Sequence, residues 1–110
     1  MKQFDIIKNN NDFKLIFEKG HSIYGKYLVV YFLRNQFEDN RFGFCVGKKL
    51  GTAVVRNRIK RLLREAVRNG NTPPSVKGYD ILLVARVPIK EIRLSRIIEE
   101  IEHILCKVKN

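Results

Sequence analysis

Apolar positions recur with two periods along this chain, and the switches between them divide it into elements. Over residues 9–20 (NNNDFKLIFEKG), Phe13 is followed by Ile16 and Phe17 three and four positions on. Asn10, Asn11 or Asp12 can supply the N-cap and Gly20 a stop, which together predict a short amphipathic helix. Residues 26–33 (KYLVVYFL) are apolar on both alternating faces, which suits a strand covered on both sides, and 21–24 form a looser strand before it. The polar break at 34–40 reads as a turn and RFGFCV at 41–46 as the next strand, after which Gly47 and Gly51 bracket the basic loop Lys48-Lys49-Leu50. Thr52 is placed to cap a long helix that runs to Asn69-Gly70. A turn-rich segment at 69–78, containing Pro73-Pro74, leads to a strand at 79–87 (YDILLVARV) that Arg86 interrupts. Leu94, Ile97, Ile98, Ile101, Ile104, Leu105 and Val108 then recur at helical spacing. The order α-β-β-β-α-β-α, with about four strands and no internal repeat, predicts one α+β domain over residues 1–110, built as two layers.

Composition narrows this only a little. With 110 residues, 45% of them hydrophobic, there is room for one folded unit with a true core. No stretch approaches the roughly 20 apolar residues of a membrane span, and Met1-Lys2-Gln3-Phe4-Asp5 does not begin a signal peptide. A cytoplasmic protein with no membrane partner is expected. Cys45 sits in an apolar strand and Cys106 on a helical apolar pattern, with no CxxC motif, and His21 and His103 lie in no ligand motif. Reduced thiols and no metal site are therefore expected.

Charge changes the picture more. The chain carries 22 Lys+Arg against 11 Asp+Glu, a net +11, and the excess is local. Residues 41–68 hold nine bases (Arg41, Lys48, Lys49, Arg56, Arg58, Lys60, Arg61, Arg64 and Arg68) against one acid, Glu65, so about a quarter of the chain contributes +8. Projected at about 100° per residue, Val55, Ile59, Leu62, Leu63, Ala66 and Val67 form one face of the long helix, and Arg56, Lys60, Arg61, Arg64 and Arg68 fill the neighbouring arc. A merely solvated face would interleave acids at i,i+4 spacing. This one calls for a polyanion. Arginine outnumbers lysine five to one between 56 and 68, which favours planar, bidentate phosphate contacts. No helix-turn-helix, zinc finger or zipper places that helix in a DNA groove, so RNA is the better fit. Composition alone assigns Phe13, Phe17 and Tyr31 to the core; the alternative is a cleft in which bases of a single strand stack on them beside Lys48 and Arg86. No catalytic residue is expected. Glu99, Glu100 and Glu102 lie on a charge-balanced helix, and neither a phosphate-binding loop nor a nucleophile elbow is present, so any chemistry would belong to the partner.

The run from Gly47 to Glu65, GKKLGTAVVRNRIKRLLRE, closely resembles the signature of the bacterial ribonuclease P protein component. The resemblance extends to Asp12-Phe13 and Phe17, to Val29-Val30-Tyr31, to Gly78-Tyr79-Asp80 and to Ala85-Arg86, nearly the whole chain in the family's order. It implies the small basic subunit of a ribonucleoprotein endoribonuclease that matures the 5′ end of transfer RNA. Its partners would be the ribonuclease P RNA and precursor tRNA, without a protein homo-oligomer. The RNA subunit would hold the catalytic Mg²⁺ ions, and the protein alone would bind no cofactor. By position, Arg56, Asn57, Arg58, Lys60, Arg61, Arg64 and Arg68 would face the RNA subunit, while Phe13, Phe17, Tyr31, Lys48 and Arg86 would line a cleft for the 5′ leader. The resemblance also implies a left-handed crossover through the basic helix, where general packing rules favour a right-handed one. A structural, ribosomal-type RNA-binding protein is the alternative reading.

Overall fold

The computed structural model describes residues 5–108; residues 1–4, on which the signal-peptide expectation rested, lie outside it. In chain order the elements are β1 (Asp5–Ile6), α1 (Asn10–Lys19), β2 (His21–Tyr24), β3 (Leu28–Arg34), β4 (Arg41–Cys45), α2 (Ala53–Asn69), β5 (Tyr79–Ala85) and α3 (Leu94–Leu105). Short 3₁₀ turns follow β4 at Lys48–Leu50 and β5 at Val87–Glu91. The strands form one sheet in the order β1-β4-β5-β3-β2. β3 runs antiparallel to β2 and to β5, whereas β4 is parallel to both β5 and β1. The β4-α2-β5 crossover is thus present between adjacent parallel strands.

Successive residues of a strand point to opposite sides, and β3 uses both. Leu28, Val30 and Phe32 join Phe42, Phe44, Ile81 and Leu83 in the main core, which α2 and α3 cover with Ile59, Leu63, Ala66, Ile97, Ile101 and Ile104. On the other side α1 lays Ile16 and Phe13 against Leu82, Ile7, Tyr31 and Leu33. Two expectations change here. The sheet has five strands, because Asp5 and Ile6 add a two-residue parallel strand opposite Arg41 and Phe42. The fold is also not two-layered: α1 makes a third, partial layer across the sheet from α2 and α3.

Local signals explain most element ends. Thr52 Oγ1 accepts from the Val55 amide (3.4 Å) at the start of α2. At α1 the cap is Asn9, whose Oδ1 accepts from the Asn11 amide (2.8 Å), one residue before the candidates Asn10, Asn11 and Asp12. Gly20 ends α1 by close approach: a Cβ there would lie 2.5 Å from the Ile16 carbonyl oxygen and 2.8 Å from that of Phe32. β5 stops at Ala85, short of Val87, since Pro88 brings no amide to the ladder and opens a 3₁₀ turn instead. The β2–β3 turn is held from α3, with the Lys26 and Tyr27 amides donating to the Glu100 carboxylate at 2.7 and 2.8 Å. No described helix is long and apolar enough to cross a membrane.

Candidate nucleic-acid interface

Two surfaces on opposite sides of the sheet carry the residues singled out by sequence. The first is α2. Its Ile59, Leu63, Ala66 and Val67 are buried, which turns Arg58, Arg61 and Arg64 outward and leaves Arg56, Lys60 and Arg68 half-buried at the borders. Among the described residues, Arg56, Arg58, Lys60, Arg61 and Arg64 form no ion pair. Arg56 Nε is buried and has no hydrogen-bond partner among the described residues. Arg68 differs from its neighbours, because its Nη1 lies 3.4 Å from Glu65 Oε1, an i,i+3 pair on the helix. Asn57 is exposed beside Arg58.

Arg41 leaves the basic group altogether. Its Nε and Nη2 donate to the Asp80 carboxylate at 2.8 and 2.6 Å, its Nη1 lies 3.6 Å from Asp12, and its guanidinium stacks 5.0 Å from the Phe37 ring centroid. The hydrogen-bonded Asp80 raises the Arg41 pKa above its ordinary value, partial burial opposes this, and the charges of Asp80, Asp12 and Asp5 add to the rise. This cation is spent on holding β4, β5 and the first turn of α1 together.

The second surface is the part of the sheet that α1 leaves open. Phe17 is 43% exposed and meets the half-buried Tyr31 edge-on, with ring centroids 4.8 Å apart. Phe13, on the same helix, is more core-like. A Cβ at Gly43 would lie 2.6 Å from its ring, so the ring rests on backbone that carries no side chain. Cys45 is half-buried beside them. Burial pushes its thiol above the ordinary value, and the nearby Lys60 ammonium partly offsets this. Among the described residues β1 pairs only with Arg41 and Phe42, which leaves the rest of β4 as an open edge.

Lys48 and Arg86 are both exposed and follow the C-terminal ends of the parallel strands β4 and β5, on 3₁₀ turns that pack together. They do not touch the ring pair. Tyr31 is level with Leu82 on β5, and Arg86 lies four residues further, about 13 Å along the strand. A depression of about 770 Å³ opens near Asp12 at the far end of α1, lined by Asp5, Lys8, Phe37, Glu38, Asp39 and Arg41. Its three carboxylates repel a phosphate chain, and Arg41 is already neutralised by Asp80.

Comparison with known proteins decides what carries these two surfaces. The family model described as Ribonuclease P matches residues 1–109. The chain belongs to the ribonuclease P protein family. It is 46% identical over 92 residues to the ribonuclease P protein component of Natranaerobius thermophilus, covering 84% of this chain and 79% of that one. It is 38% identical to that of Alkaliphilus metalliredigens, covering 99% and 97%. The solved ribonuclease P protein from Thermotoga maritima superposes with a TM-score of 0.85 at 30% identity, over 96% of this chain and 99% of that one.

On this ribonuclease P scaffold one exposed aromatic escaped the sequence reading. Tyr24 on β2 is 71% exposed and pairs with Val29, while Ser22 pairs with Tyr31, so alternation puts Tyr24 on the same side of the sheet as Tyr31. Burial raises the Tyr31 pKa, and the charge and hydroxyl of Tyr24 raise it further. The signal was available in the alternation of His21-Ser22-Ile23-Tyr24 against KYLVVYFL, but only once the hairpin register is known. Among the described residues no group of three or more His, Cys, Asp or Glu converges as metal ligands do. Three of the acids have local structural duties: Asp80 binds Arg41, Glu100 holds the β2–β3 turn, and Glu102 accepts from the Asn71 amide at 2.7 Å.

Proposed function

We propose a division of labour between the two sides of this chain, which is the protein component of ribonuclease P and works with the ribonuclease P RNA on precursor tRNA. The α2 face, Arg56, Asn57, Arg58, Lys60, Arg61, Arg64 and Arg68, docks on the RNA subunit. Phe13, Phe17, Tyr31, Lys48 and Arg86 guide the 5′ leader across the open part of the sheet, with Phe17 and Tyr31 offering ring surface and the cations meeting phosphate. The observation that carries this reading is the placement of five cations that form no ion pair among the described residues on one side of the sheet, and of exposed Phe17 against half-buried Tyr31 on the other. Two RNA segments can therefore be held at once.

The chemistry follows from charge. Catalytic RNA and leader are both polyanions, and cations between them lower the repulsion that otherwise requires more Mg²⁺. The RNA subunit holds those ions and cleaves the phosphodiester, while the protein contributes no catalytic group. Association should weaken with salt by a log-log slope of about −0.7 for each single-strand phosphate contacted. Reconstitution tests this: the chain added to a bacterial ribonuclease P RNA at low Mg²⁺ should accelerate precursor cleavage, and the protein alone should cleave nothing. No acceleration, or cleavage without RNA, overturns the reading.

A further inference from the structure

Tyr24 is large, aromatic and mostly in water, on an edge strand where packing asks for no such side chain. Its position along the sheet is informative. Tyr31 is level with Leu82, and Tyr24, through Val29, is level with Val84, about 7 Å nearer the end of β5 at which Arg86 stands. Following the sheet from Phe17 and Tyr31 toward Arg86, Tyr24 comes next, displaced one strand outward onto β2. Arg86 in turn is not a freely swinging cation. Its Nη1 donates to the carbonyl oxygens of Gly25 (2.7 Å) and Lys26 (3.4 Å), the two residues directly after Tyr24, and its amide donates to Tyr27 (2.9 Å).

The turn that brings Tyr24 and Arg86 together is itself pinned. Glu100 accepts from the Lys26 and Tyr27 amides, and a Cβ at Gly25 would lie 2.7 Å from the Glu100 carboxyl carbon, so the turn sits flush on α3. An aromatic ring open to water and a guanidinium with unused donors are thus fixed on one short rigid segment. A ring stacks on any base, and a guanidinium binds a phosphate through two parallel donors.

We propose that Tyr24, with Arg86 seated on the turn that follows it, is a further nucleotide subsite, taking one leader base on its ring and the adjoining phosphate on Arg86. This rests on the reading of the open sheet as the leader path. It extends that path past Tyr31 to the sheet's β2 edge and makes Tyr24 a determinant of how many leader nucleotides are felt.

The test measures precursor affinity of the reconstituted holoenzyme while leader bases are replaced singly by abasic residues, with leaderless tRNA as reference. The unmodified protein should show one sensitive position beyond those lost in Phe17→Ala. In Tyr24→Ala that position alone should become insensitive, with affinity for the intact leader reduced about 5- to 10-fold, the lower part of the range for stacking on an open ring. Tyr24→Phe keeps the ring and loses only the hydroxyl that acts on Tyr31, so it should retain sensitivity at that leader position. An equal loss for leaderless tRNA, or no loss at any leader position while Phe17→Ala still shows one, overturns the subsite and leaves the leader path standing. Absence of leader sensitivity in the unmodified holoenzyme overturns the leader path itself.

Discussion

Replacing Asp80 by alanine should cost about 3 kcal/mol of folding stability. The Asp80 side chain is only 10% exposed and its carboxylate accepts three hydrogen bonds, from Arg41 Nε (2.8 Å), Arg41 Nη2 (2.6 Å) and Asn35 Nδ2 (2.9 Å). Removing one partner of a buried ion pair leaves an uncompensated charge, at about 3–5 kcal/mol. The lower end applies because the Arg41 side chain is 22% exposed and keeps Asp12 at 3.6 Å, while Asn35 retains the Asp39 carbonyl at 3.2 Å. Against a total of about 5–15 kcal/mol for a domain of this size, and about 4 °C of melting temperature per kcal/mol, the melt should drop by about 12 °C. Urea unfolding of the isolated chain followed by circular dichroism gives the free energy directly. Asp80→Leu combined with Arg41→Met should recover much of the loss, since no buried unpaired charge then remains and Asp12, a third exposed, is solvated. A loss under about 1 kcal/mol for Asp80→Ala, the value of an exposed pair, would refute the reasoning. It would also return Arg41 to the cations available for RNA.

Cys45 should react with iodoacetamide at pH 8 far more slowly than the exposed Cys106, because burial raises its thiol above the ordinary value of 9.0, and precursor bound to the holoenzyme should slow it further; mass spectrometry after timed quenching reads both, and equal rates would count against the buried floor. Cys45 and Tyr31 both bind their protons more tightly folded than unfolded, so their contributions are intact below pH 9.0 and 10.0 and stability should fall as pH rises through those values, a decline that Tyr31→Phe should lessen in melts across that range. Gly20→Ala should lose about 1–3 kcal/mol in urea unfolding, as its Cβ meets the Ile16 and Phe32 carbonyls, and a neutral result would show that the α1–β2 junction yields freely.

Helix α2 was legible almost to the residue, because Thr52, Gly70 and the apolar spacing of Ile59, Leu63, Ala66 and Val67 are local signals that agree with one another. β3 was equally open, since a run apolar on both faces demands cover on both sides, yet nothing local says what that cover is. The side taken by α1 depends on Gly43 leaving room for Phe13, a contact across thirty positions of sequence. Strand β1 was hidden for a related reason: two residues make no periodicity, and Asp5-Ile6 becomes a strand only by lying beside Arg41 and Phe42. In the candidate site, counting charges found the α2 face but could not separate Arg41, which folds inward on Asp80, from arginines that face solvent. Phe17 and Tyr31 were named and do meet. Tyr24 was missed because its side of the sheet follows from pairing register, and a slip of one residue would have turned it away.

If one chain presents two separable RNA surfaces, paired substitutions should tell them apart. Association with the ribonuclease P RNA is compared, for Arg58→Ala and Phe17→Ala, with the ratio of precursor to leaderless tRNA affinity in the assembled holoenzyme. Arg58→Ala should weaken RNA association and flatten its salt dependence by about one phosphate contact, leaving the ratio unchanged. Phe17→Ala should leave association intact and lower the ratio by about 5-fold or more. Identical defects from the two substitutions would mean that the α2 face and the open sheet act as one surface.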